Sequence, residues 1–97
     1  MATYVTLFKY TEQGIKNIKD APKRVEAAKK VAAQAGVTFK ETLWLQGEYD
    51  FLVVAEGSDE FAVAALGLNT AKQGNVRAVT MRAFTVAEME KILEKVA

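Results

Sequence analysis

Tyr49 and Asp50 set a phenol beside a carboxylate just behind Gly47, in the run Leu45-Gln-Gly-Glu-Tyr-Asp-Phe-Leu-Val-Val-Ala-Glu56. Neighbouring groups of this kind can move a proton. The same residues have a second reading: Gly47 permits a tight turn, Asp50 bonds a turn amide and Tyr49 packs at the strand end. Successive strand residues point to opposite faces, which works against a joint chemical role. Lys40 and Arg82 form the other constellation, sharing an alternating set of strand positions with Trp44, Tyr4 and Thr80. With Tyr49 and Asp50 they make a candidate ligand set for a small anionic or aromatic molecule, aromatic walls carrying a few charges. Alternatively, Glu41, Glu48 or a partner's carboxylate pairs with each cation. No residue is assigned a catalytic role.

What the chain lacks narrows the chemistry. It has no cysteine and no histidine, so disulfides, zinc thiolates, thiol nucleophiles and imidazole bases are excluded. Acids such as Glu88, Glu90 and Glu94 give helix faces rather than a metal cage, and no metal or other cofactor is expected. The Gly74-Asn75 turn lacks the glycine-rich pattern and the Lys-Ser/Thr pair of a phosphate loop. A net charge of +1 gives no whole-molecule attraction to nucleic acid, and Lys16, Lys19, Lys23 and Arg24 come without an RNA-binding sheet signature. Charge is nonetheless uneven: residues 9–40 carry eight Lys/Arg against three acids, and residues 41–60 carry six acids and no base. Opposed surfaces of this kind steer self-association. No apolar run approaches the ~20 residues of a membrane span, and no basic-then-apolar leader precedes the first strand. The expectation is a cytoplasmic protein with neither membrane nor nucleic acid as partner.

Positioning these side chains falls to one small domain, residues 1–97. Residues 3–10, rich in β-branched and aromatic types, read as a strand, and Thr11 as the cap of a short helical turn. A helix is expected over 21–35: Asp20 is its N-cap, Pro22 sits in its first turn, Val25, Ala28, Ala32 and Ala35 share a face, and Gly36 ends it. Strands follow at 37–46 and 49–56. Ser58 is expected to cap a helix over 59–73, where Gly67 suggests a close packing contact. Residues 75–84 form the last strand, and Thr85 to Glu88 a capping box that opens a helix over 86–96. The order β-α-β-β-α-β-α is the ferredoxin-like split βαβ arrangement, an α+β fold.

Both main helices of such a fold cover one sheet face. Alternation sorts the strand residues into two sets. Val5, Leu7, Leu43, Leu52, Val54, Val79, Met81 and Ala83 are aliphatic and are expected under the helices. The other set includes Tyr4, Thr6, Phe8, Tyr10, Lys40, Thr42, Trp44, Tyr49, Phe51, Val53, Val76, Thr80, Arg82 and Phe84. Its aromatic and hydroxyl-rich character predicts pairing between two subunits, sheet to sheet, to make a shared barrel. A hydrophobic content of 51% and the nearly all-apolar run Phe61-Ala-Val-Ala-Ala-Leu-Gly-Leu68 also favour a packing partner.

The chain resembles the GYD-domain family of small bacterial proteins. Gly47-Glu48-Tyr49-Asp50 carries the naming residues with one interposed. Thr11-Glu12-Gln13-Gly14-Ile15, Asn17-Ile18-Lys19-Asp20 with Pro22, Gly74-Asn75-Val76-Arg77 and Arg82-Ala83-Phe84-Thr85 extend the likeness over nearly the whole length. The resemblance implies a dimeric α+β barrel, hence a homodimer or higher oligomer, and brings no established biochemical role. Two functions are open: an oligomeric small-molecule-binding or regulatory module, or a cofactor-independent barrel enzyme, monooxygenase- or isomerase-like, using Tyr, Asp, Lys or Arg.

Overall fold

The computed structural model describes residues 1–97. Strands β1 (Ala2–Tyr10), β2 (Val37–Trp44), β3 (Phe51–Gly57) and β4 (Val76–Ala83) alternate with helices α1 (Glu12–Lys16), α2 (Ala21–Gln34), α3 (Glu60–Lys72) and α4 (Val86–Leu93). The sheet order is β2-β3-β1-β4, with every pairing antiparallel. Each helical crossover thus skips one strand, which is the ferredoxin-like α+β arrangement the element order predicts. No helix is long and apolar enough to cross a membrane.

Local chemistry explains the boundaries. Thr11 caps α1 by accepting from the Gly14 N–H at 3.2 Å. Asp20 occupies the N-cap position of α2 but makes no side-chain bond there, because a 3-10 turn over Ile18–Asp20 runs straight into the helix and leaves no gap to cap. Gly36, at φ +79°, turns the chain out of α2 into β2. Asp59 rather than Ser58 caps α3, its carboxylate accepting from the Phe61 and Ala62 N–H groups. A charged oxygen one residue closer to the helix outcompetes the hydroxyl. Thr85 and Glu88 form the expected capping box of α4. Gly67 makes no close packing contact: a Cβ there would meet nothing within 4 Å.

Pairing registers show two rows of the aliphatic set crossing the sheet, Leu43–Leu52–Leu7–Val79 and, from the second strand inward, Val54–Val5–Met81. The opposite face carries Trp44–Phe51–Phe8–Ala78 and Thr42–Val53–Thr6–Thr80. The grouping expected from alternation is right and the side is reversed. The core gathers Ala32, Val37, Phe51, Val53, Ala55 and Val76, with Phe8, Tyr10, Val25, Phe39, Ala62, Val63 and Leu66 packed around it. The aromatic set therefore lies under α2 and α3, and the aliphatic set is the bare face, with Leu43, Val79 and Met81 each 42–48% exposed. The reason is volume. Alanines of α2 bring the helix close to the sheet but fill little space, so large rings rather than branched aliphatics must complete the layer.

Candidate functional site

The Gly47–Asp50 turn is built to hold strand ends together. Gly47 adopts φ +138°, a conformation open to glycine. Asp50 follows it and bonds in three directions: its N–H donates to the Phe8 carbonyl at 2.8 Å, its carbonyl accepts from the Leu45 N–H at 2.8 Å, and its carboxylate accepts from the Tyr10 N–H at 2.8 Å. Asp50 thereby extends the β1–β3 ladder past its last pair, Phe8 with Phe51. The Tyr49 ring lies 5.2 Å from the Lys9 ammonium, and Lys9 also reaches Glu48 at 4.0 Å. The Asp50 carboxylate thus bonds a strand-end amide of β1 rather than an amide of its own turn.

The remaining expected ligand residues are distributed rather than convergent. Lys40 is the extra residue of a bulge between Phe39 and Glu41 and pairs with Glu56 at 3.3 Å. Arg82 pairs with Glu88 at 3.3 Å and lies 4.4 Å from the Phe84 ring and 5.9 Å from the Tyr4 ring. Lys40 and Arg82 belong to β2 and β4, the two edge strands, three interstrand spacings or about 14 Å apart. The structure does not bring them together, and each has its own carboxylate. Thr80 bonds Thr6 at 3.0 Å, and the Trp44 indole N–H donates to the Tyr10 hydroxyl at 2.9 Å beside Phe51. Arg82 and the Thr85 backbone N–H both hold Glu88: the N–H bond first, then the guanidinium, keeps its carboxyl below the ordinary value. No group of three or more Asp and Glu residues is placed to hold a metal ion.

A different cavity lies between the sheet and α2 and α3. Its volume is about 230 Å³. Phe8, Phe39, Phe51 and Val53 line it from the sheet, and Ala28 and Leu66 from the helices. Polar groups gather at one end: Arg24 in the first turn of α2, Asn69 in the last turn of α3, Gln73 at its C-cap and Asn75 ahead of β4. They meet because α2 departs from the end of the sheet where β1 finishes, and α3 returns to that end before β4 begins, with Tyr10 paired to Val76. The Arg24 Nη1 donates to the Asn17 carbonyl at 2.8 Å, while Nη2 is buried and has no hydrogen-bond partner. In the sequence Arg24 stands among surface cations. Its spacing from Ala21 and Ala28, three and four residues away, is the available sign that it shares the inward stripe of α2.

A protein of Thermus thermophilus described as a glutamine synthetase and cystathionine beta-lyase binding protein is 30% identical over 90 residues, covering 92% of this chain and 95% of that protein. No solved structure matches the chain. The family model of the GYD domain matches residues 4–93, nearly the full length and inclusive of the Asp50 clasp, and the chain accordingly belongs to the GYD-domain family.

Proposed function

We propose that this protein is a cytoplasmic binding or regulatory module that pairs with a second copy through its bare aliphatic sheet face and engages other proteins as that assembly. The carrying observation is the bare rows of Leu43, Leu52, Leu7 and Val79 and of Val54, Val5 and Met81, with Leu43, Val79 and Met81 exposed and the other four half-buried. Contiguous apolar surface of this kind marks an interaction site. A two-fold pairing sets the same patch against itself. Charge supports the choice of a second copy. Arg77, opposite Lys9 across β1 and β4 on this side of the sheet, is in none of the chain's ion pairs, while Lys9 reaches Glu48 at 4.0 Å. Glu41, on the far edge strand of the same face, is in none of them either, so the face carries a charge of each sign for a self-complementary pairing.

The description of the Thermus thermophilus relative supports protein partners and makes glutamine synthetase and cystathionine beta-lyase the first two to test. Sedimentation equilibrium is expected to show a dimer at micromolar concentration for the parent and a folded monomer for the double variant Leu43→Glu/Val79→Glu. A monomeric parent would refute the pairing. Co-sedimentation with either purified enzyme tests the partner class, and absence of binding to both removes that part of the reading.

A further inference from the structure

We infer that the cavity between α2, α3 and the sheet binds a small carboxylic acid with an apolar body, its carboxylate accepting from Arg24. The guanidinium is permanently charged. One terminal nitrogen is satisfied by the Asn17 carbonyl, the other is buried without an acceptor, and none of the chain's ion pairs, Lys9–Glu48, Lys40–Glu56 and Arg82–Glu88, includes Arg24. A buried cationic donor left unmatched is unfavourable, and an anionic acceptor removes that cost. The walls define the rest of the ligand. Phe8, Phe39, Phe51, Val53 and Leu66 offer no partner to a polar body. At about 230 Å³ the space falls below the ~300 Å³ at which pockets for drug-sized molecules begin. A monoanion fits better than a phosphate, because one free guanidinium nitrogen, with no second cation in the lining, cannot compensate the desolvation of a dianion. The cavity lies on the opposite side of the sheet from the proposed pairing face, so either idea can fail without the other.

The full-length protein is titrated with 4-methylpentanoate and with phenylacetate, each against its neutral amide, following backbone amide resonances and the Arg24 side chain by NMR alongside calorimetry. Saturable shifts at Arg24, Phe51 and Val53 are expected for at least one acid, with the matching amide bound at least about tenfold more weakly. Inorganic phosphate should give no saturable shift at these positions. Arg24→Met should abolish acid binding, and Ala28→Leu, which fills the cavity and leaves the guanidinium in place, should do the same. Equal affinity for acid and amide, no saturation by either acid to about 10 mM, or acid affinity unchanged in Arg24→Met overturns the inference. If Arg24→Met does not fold, Ala28→Leu decides: unchanged acid affinity there overturns it equally.

Discussion

Asp50 shows how a residue type suited to proton transfer is consumed by backbone bonding. Its carboxylate satisfies the Tyr10 N–H at 2.8 Å, one step beyond the point where β3 can supply a carbonyl. Asp50→Ala should destabilise the fold by about 1–3 kcal/mol, the usual cost of a partly buried donor left unmet. Asp50→Asn keeps an acceptor and should lose clearly less. Urea midpoints of the two variants test this, and an alanine variant as stable as the parent would show that the clasp contributes nothing. Gly14 is a second residue with a single physical reason. A Cβ at that position would stand 2.0 Å from the Asn75 carbonyl oxygen, the same oxygen that accepts from the Thr11 N–H at 3.0 Å. Gly14→Ala must push β4 away from α1 and should cost roughly 1–3 kcal/mol. Gly67→Ala, with open space around it, should instead stabilise α3 by ~1 kcal/mol. Opposite signs from the same chemical change, read in one denaturation series, distinguish close approach from backbone freedom.

At the scale of elements, α4 depends on a titrating cap. The Glu88 carboxylate accepts from the Thr85 N–H at 3.0 Å and from Arg82 at 3.3 Å, and both hold its carboxyl below the ordinary value. A carboxyl lowered on folding contributes stability above its unfolded value, about 4.3, and loses that contribution as pH falls through the lower folded value. Amide exchange in the first turn of α4 should therefore accelerate below about pH 4 beyond its intrinsic change. Glu88→Gln, which cannot titrate, should remove that pH dependence, and a dependence persisting in Glu88→Gln would assign it elsewhere. This cap was legible from spacing alone because Thr85 and Glu88 are local. So were the strands, the split βαβ order and the sorting of strand residues into two sets. Which set faces inward was not, since alternation is symmetric between faces and the answer depends on how closely α2 approaches. The same blindness hid Arg24. Its role depends on α3 returning to the end of the sheet where α2 starts, a long-range relation that a run of lysines on one helix does not reveal. Lys40 and Arg82 were grouped by alternation, but a bulge and the sheet order separate them.

The whole molecule is a two-layer slab, 50 × 31 × 19 Å, with α2 and α3 on one side of the sheet and aliphatic side chains on the other. Only nine of its 97 residues are buried, a small interior for a chain that is half hydrophobic. Outward residues of α3 add to the unmet apolar surface, with Phe61 and Leu68 more than 70% exposed. A fold with so little interior of its own should draw stability from association, and association is subject to mass action. The melting temperature is therefore expected to rise with protein concentration, by roughly 3–5 °C per tenfold increase if folding and pairing are coupled in a chain of this size. Leu43→Glu/Val79→Glu should melt lower and at a temperature independent of concentration, because two carboxylates cannot be buried unpaired against a partner's leucines. The contrast separates pairing from intrinsic stability. A parent whose melting temperature stays flat across a hundredfold range while its sheet face remains unaltered would mean that the slab is stable alone, and the bare aliphatic rows would then need an occupant other than a second copy.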